Sequence, residues 1–330
     1  MKKLLILLIL VLFMPIFFLE FATDAHVYAY MGRLLIEGGV PYVDGWDHKG
    51  ISLYFINALG YGIFGFNSVI GIRILEMLLI LYSFLLFFTK FKTYYDKLIV
   101  FIATVFGLFT FKYFFDGGNL TEEYGAIFSL ISILLMMKKE VQSRDLAVIG
   151  GLFIINFTIR TNLIGFWIAL FFVYGIQLIL RQKKLIEILQ ALLKMSYGAL
   201  AIIVVVSIYF YSTDSFQEFY DAAFKFNFSY ADGSKTSVFT TMFSVMKTYH
   251  LSVILVIGWI FAIMRFINNR SRFIELLLLI WIPVELYLSN LSSRRFAHYY
   301  LMWMPLILFS ITLFLTGMKE RFRMSNVNII

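Results

Sequence analysis

Cysteine is absent from the 330 residues, so the chain has no disulfide, thiolate zinc site or cysteine nucleophile. Proline is scarce, at 4 residues, and only 15% of residues are charged, where a soluble chain carries about 25%. That shortage excludes an ordinary soluble protein. The remainder is apolar: 61% of residues are hydrophobic, Phe alone occurs 38 times, and the mean hydropathy is +0.85. This is the composition of an integral membrane protein. A small-x-small cleavage site is missing before Glu20, so Met1-Lys2-Lys3 and the apolar run after it read as an uncleaved first transmembrane helix. No repeat of fixed period, low-complexity linker or separate soluble domain interrupts residues 1–330.

What is present is a series of about ten apolar stretches of membrane-crossing length. They cover residues 3–20, 69–89, 97–114, 120–137, 145–161, 163–180, 193–211, 250–266, 273–289 and 299–316. The net charge of +8 raises the question of nucleic acid, but the charges sort by side. With a cytoplasmic N-terminus, most of the 28 basic residues fall on inner ends: Lys2, Lys3, Lys90, Lys92, Lys97, Lys138, Lys139, Arg144, Arg181, Lys183, Lys184, Lys194, Arg265, Arg270, Arg272, Lys319, Arg321 and Arg323. That is the positive-inside bias, so topology explains the charge and no nucleic-acid partner is expected. Acids, and all four His residues (His26, His48, His250 and His298), gather on the outer side. The active site is therefore expected to be extracytoplasmic. The expected fold is an all-α polytopic bundle of about ten spans, with two large outer segments at residues 20–68 and 212–249.

Residues 24–50, DAHVYAYMGRLLIEGGVPYVDGWDHKG, concentrate ionisable and aromatic groups. Thr23 or Asp24 occupies an N-cap position. Val27, Tyr30, Met31, Leu34 and Leu35 recur at helical spacing, which predicts an amphipathic surface helix. Gly38-Gly39 ends it and Pro41 prevents its continuation. After a polar crossing, residues 51–64 form a second apolar segment, too short to be a span, that stops at Gly65. In the other outer segment, Phe216, Tyr220, Phe224 and Phe228 predict a third amphipathic element, a lining for an acceptor entrance or a structural cap.

This order of features resembles the GT-C glycosyltransferases. An acidic residue follows the first span, then come a surface helix, G-x-P-Y-x-D-x-x-x-x-K over residues 39–49, and a second short helix. Thr121-Glu122-Glu123-Tyr124 opens the fourth span, Arg160-Thr161-Asn162 ends the fifth, and the run from Ser292 to Tyr300 resembles a late S-x-R-x-x-x-H-Y element before a span containing Pro305. The nearest branch looks like the protein mannosyltransferase and aminoarabinose transferase superfamily, with the bacterial lipopolysaccharide-core transferases. Two departures stand out. Ile51 follows Gly50 where that family often has Pro, and the sequence ends soon after the tenth stretch, where many members continue.

The resemblance implies transfer of a sugar from a polyprenyl-phosphate donor to an extracytoplasmic glycan, lipid or protein acceptor. Asp24 is the implied base for the acceptor hydroxyl, and helix capping is its plain alternative. Arg294, Arg295, His298, Lys49 and Arg160 are the candidate cations for the donor phosphate. Lipid headgroup contact is the alternative for the arginine pair, and snorkelling to the interface for Arg160. Asp44, Asp47, Tyr42, Trp46, Glu122 and Glu123 are candidates for binding the sugar. Asp47 could instead pair with Lys49 or Arg33, and the aromatics could simply belt the interface. A divalent cation, Mg²⁺ or Mn²⁺, is possible, but no cluster with metal-ligand spacing appears. The rivals are a lipid-linked glycan transporter or flippase, for which Glu76 is the clearest mid-span charge, and a polysaccharide polymerase.

Overall fold

The computed structural model describes residues 1–65, 68–180, 182–227, 229, 237–268 and 273–327. The expected positions Arg181, Phe228, Arg270 and Arg272 lie outside the described residues. Among those described, regular structure is helical, apart from an isolated bridge between Pro41 and Gly45. In chain order the helices are α1 (Lys2–Phe13, prolonged by a 3-10 turn Met14–Phe18), α2 (Thr23–Ile36), α3 (Ile51–Phe64), α4 (Ile70–Phe91), α5 (Lys97–Phe114), α6 (Thr121–Met136), α7 (Ser143–Ile159) and α8 (Gly165–Leu180). They continue with α9 (Leu185–Thr213), α10 (Phe216–Tyr220, prolonged by a π turn Asp221–Lys225), α11 (Val238–Thr248), α12 (Ser252–Ile267) and α13 (Phe273–Leu288). A 3-10 turn, Ala297–Met302, leads into α14 (Trp303–Val327).

Four segments are long and apolar enough to cross a membrane: Ile70–Phe91, Lys97–Phe114, Leu185–Thr213 and Ala297–Arg321. Two bent pairs raise this to six if each is one broken span: Lys2–Phe18 with Thr23–Ile36 at 76°, and Val238–Thr248 with Ser252–Ile267 at 107°. The chain is thus an all-α integral membrane protein by length and composition. Every one of the ten apolar stretches coincides with a helix, but several are shorter than a full crossing.

The core is organised around α6. Its residues from Thr121 to Leu134 are all buried, enclosed by α4, α7, α8, α14 and the 3-10 turn before α14. At the other extreme α9 buries only Ala191, Met195 and Phe210, and packs mainly on α7. The α7–α9 crossing is close because it is made of small residues. A Cβ on Gly150 would stand 1.9 Å from the Met195 carbonyl oxygen, and one on Gly198 would stand 1.7 Å from that of Ala147. In lipid, where apolar side chains gain little by leaving one oily surface for another, such backbone proximity is a main source of helix association.

Three sequence expectations are corrected. The N-cap of α2 is Ala22, with no side-chain cap, and Asp24 lies in the first helical turn. The inward face of α2 is Ala25, Tyr28, Ala29, Met31 and Gly32, while Val27 and Tyr30 point outward. Likewise Phe219, Ala222 and Ala223 are buried in the α10 region, whereas Phe216 and Tyr220 are exposed. In both places some large apolar residues face out, and small residues share the protein contact with Tyr28, Met31 and Phe219.

Candidate functional site

The segment between α2 and α3 is held by its own backbone and by inward-pointing tyrosines. Glu37 closes α2 and Gly38 follows at φ +87°. The Asp44 carboxylate accepts the Val40 amide at 2.7 Å, so this exposed residue ties the turn. Tyr42 adopts φ +75°, its amide bonds the Gly45 carbonyl, and its ring packs on Tyr54, Phe210 and Phe219. Its hydroxyl donates to the Lys49 carbonyl at 2.8 Å. Trp46 is exposed, edge-on to Phe226.

The end of this segment is clipped to α7. The Gly50 amide donates to the Ile159 carbonyl at 2.9 Å, and the Ser52 and Thr158 hydroxyls meet at 2.6 Å. A Cβ at position 50 would lie 1.8 Å from the Thr158 carbonyl oxygen, so only glycine fits here. The segment after α10 also reaches this loop: Asn227 donates to the His48 carbonyl at 2.8 Å.

Asp47 and Lys49 are both buried. Asp47 accepts the Tyr54 hydroxyl at 2.7 Å and the His48 amide at 2.7 Å, and lies 3.3 Å from His48 Nδ1. Lys49 Nζ lies 2.6 Å from His48 Nε2. The imidazole therefore bridges a carboxylate and an ammonium, an arrangement that fits hydrogen on Nδ1 and a lone pair on Nε2. Arg33, by contrast, pairs with Glu37 at 2.6 Å and takes no part. Burial opposes the charge on Asp47, but the His48 hydrogen bond and the Lys49 cation together hold its carboxyl below the usual range. Burial pushes the Lys49 ammonium down to about 8, helped by Arg160 and opposed by Asp47, Glu122 and Asp24. Arg160, Glu122 and Asp24 thus all act electrostatically on Lys49.

Arg160 is the C-cap of α7. It donates to Glu122 at the start of α6 and lies 4.6 Å over the Tyr299 ring. Glu122 also accepts the Thr121 hydroxyl at 2.7 Å. His298 is buried beside Tyr299, with Nδ1 3.3 Å from the Asp116 carboxylate. Arg294 and Arg295 are exposed on the approach to this turn, Arg295 within electrostatic range of Tyr300. Asp24 is exposed at the rim.

Glu123 leaves the site. It turns toward Glu76, which pairs with Arg73 at 3.2 Å and accepts the Asn119 amide. Arg73 also donates to the Leu19 and Gly117 carbonyls, and Asn119 donates to the Ala25 carbonyl and to Asn57. Glu76 therefore sits in a fully buried hub near the start of α4, fastened to the α5–α6 loop and to both flanks of Asp24.

Lys49, Asp47, Asp24, Glu122, Arg160 and His298 are thus gathered at one end of the bundle, with Tyr42 beneath them and Glu123 apart. Sequence reasoning missed His48, Tyr54, Tyr299 and Asp116 as partners. His48 and Tyr299 lay inside quoted motifs, while Asp116 stood out only as one of the acids on the expected outer side. The donor set around Lys49 does not fit a metal ion. Glu122 is engaged by Arg160 and Asp47 by His48 and Tyr54, and no group of three or more His, Asp or Glu among the described residues could hold one. Comparison with family models, with curated proteins and with solved structures finds no match.

Proposed function

We propose that the chain is a GT-C-like membrane glycosyltransferase that moves a sugar from a polyprenyl phosphate to an acceptor on the outer face of a bacterial cytoplasmic membrane. In this reading the chain crosses the bilayer about ten times, with shorter helices completed by their flanking turns. The observation that carries the reading is the convergence of Asp24, Asp47, Lys49, Glu122, Arg160 and His298 at one end of an apolar bundle. That is the equipment a transfer from a lipid phosphate at the membrane surface requires: a carboxylate at the rim and cations behind it.

The Asp24 carboxylate takes the proton of the acceptor hydroxyl. The acceptor oxygen forms its bond to the sugar C1 while the C1–O bond to phosphate breaks, and the electron pair leaves on the polyprenyl phosphate with inversion at C1. Lys49, Arg295 and Arg294 offset the phosphate charge. Arg160, paired with Glu122, orients the floor of the site.

The experiment uses purified protein in lipid with radiolabelled polyprenyl-phosphate hexoses, following sugar release to water or to added acceptors. Asp24→Asn is expected to lose turnover and keep donor binding, and Arg295→Ala to weaken donor binding. A wild-type chain that neither binds nor turns over any such donor defeats the proposal. The transporter is then the reading to test, although the Arg73–Glu76 pair lies near a helix start rather than at a midplane.

A further inference from the structure

A second cavity lies at the end of the bundle away from Glu122, where α4 and α6 finish side by side. It measures about 410 Å³ and is lined by Lys90, Phe91, Tyr94, Met137, Lys138 and Lys139, with Thr93, Leu134 and Glu140 completing the wall. Its floor is apolar and its rim is cationic. The volume falls within the range of ligand clefts, roughly 300–1,000 Å³.

Lysines at helix C-termini commonly answer the unpaired carbonyls of the last turn. Here several of those carbonyls are already answered by other groups. The Phe88 carbonyl accepts the Lys92 amide, and the Phe91 carbonyl accepts the amides of Tyr94 and Tyr95. The Lys90 carbonyl accepts both the amide and the hydroxyl of Thr93, the latter at 2.6 Å. On α6 the Ile133 and Leu135 carbonyls accept the Met137 and Lys138 amides, and the Met137 carbonyl accepts the Tyr94 hydroxyl at 2.6 Å. The ammonium groups are left for something else.

Their charge balance is specific. Lys138 is taken by Asp145 at 2.6 Å. Lys90 and Lys139 make no ion pair among the described residues, and the carboxylate in the wall is Glu140. Two uncommitted cations facing one exposed carboxylate leave a single positive charge above an aromatic and aliphatic floor. Lys92 lies just outside, with its ammonium 5.5 Å from the Phe88 ring centre. An occupant that matches both parts carries one negative charge next to hydrocarbon.

We propose that the cavity at the joined ends of α4 and α6 binds the phosphodiester headgroup of an anionic phospholipid, held by Lys90 and Lys139 with the start of its acyl chains over Phe91 and Met137. The proposal commits to a lipid because α4 is one of the four helices long and apolar enough to span a membrane, so the cavity opens where such a helix leaves the hydrocarbon. A soluble anion would use the lysines and leave the apolar floor unused.

The test follows the melting midpoint of the detergent-solubilised full-length protein, because a ligand that binds the folded state raises it increasingly as its concentration exceeds the dissociation constant. The probes are phosphatidylglycerol, phosphatidylcholine and inorganic phosphate. Phosphatidylglycerol is expected to raise the midpoint where phosphatidylcholine and phosphate do not, and Lys90→Glu/Lys139→Glu to weaken the half-saturation concentration by about tenfold or more. Lys2→Glu/Lys3→Glu, an equal charge change at another helix end, is expected to respond as wild type. Should the first pair fail to fold, Lys90→Gln/Lys139→Gln carries the same expectation with a smaller shift. Equal loss in both double variants means diffuse attraction to a basic surface and overturns the proposal. A response to phosphate as large as that to lipid makes it a soluble-anion site and overturns it too, as does a wild-type midpoint indifferent to headgroup charge.

Discussion

Lys49 is buried among charges of both signs, and burial with Arg160 brings its ammonium down to about 8. Its unfolded value is 10.5, so between about 8 and 10.5 the unfolded chain binds the extra proton. Stability contributed by this group therefore rises with pH through that window, while the cation offered to a donor phosphate is lost. Donor affinity of the free protein is expected to hold below about pH 7 and to fall above about pH 8. Lys49→Arg is expected to remove that limb, and binding titrations across pH check it. His48→Ala takes away the group that bridges Asp47 and Lys49, so its pH limb is expected to shift even where its melting temperature does not. The Arg160–Glu122 pair is largely removed from solvent. Glu122→Gln leaves an uncompensated guanidinium and is expected to destabilise by about 3–5 kcal/mol. Adding Arg160→Gln should recover part of that loss in a double-mutant cycle followed by unfolding in detergent.

At the level of elements, the sequence placed helices well and their faces poorly. Apolar length located the helices from α4 to α9 and from α12 to α14, and Gly65 ended α3 at φ +88° as its position predicted. Met31, Leu34, Leu35 and Phe224 lie on the core side as their spacing predicted, but Val27, Tyr30, Phe216 and Tyr220 do not, because periodicity follows the largest apolar residues, and beside lipid those can face outward at no cost. Ala25, Ala29 and Gly32, or Ala222 and Ala223, gave a weak signal although they make the contacts. The candidate site was legible as residue types in motifs. Its pairings were not, since Arg160 meets Glu122 and His298 meets Asp116 only once the chain has folded. Two glycines test this reading of the contacts. Gly50→Ala drives a methyl into the Thr158 carbonyl and should cost about 1–3 kcal/mol by overpacking. Activity should fall further than stability, because that clip sets Lys49. Gly198→Leu should part α9 from α7 and lower the melting temperature, with little effect on donor affinity, because α9 supplies none of the charged groups around Lys49.

For the whole molecule, the pairings between distant segments sort into two ends. One end joins Glu122 to Arg160, Asp116 to His298, and Asn227 to His48. The other joins Asp96 to Lys319, Arg265 to Glu275 and Glu320, and Tyr94 to the Met137 carbonyl. Each pair belongs to loops that an alternating path of ten crossings would put on the same side, and the two ends also divide the chain as the positive-inside bias does. The absence of native cysteine makes this directly measurable. Single cysteines at Trp46, Asp214 and Arg294 are expected to react with an impermeant maleimide on intact cells. Those at Lys139, Lys184 and Lys319 are expected to react only after the membrane is opened. Labelling of Lys139→Cys on intact cells would break the alternation between α6 and α7, and with it the placement of Glu122 and Arg160 on the side from which donor and acceptor must arrive.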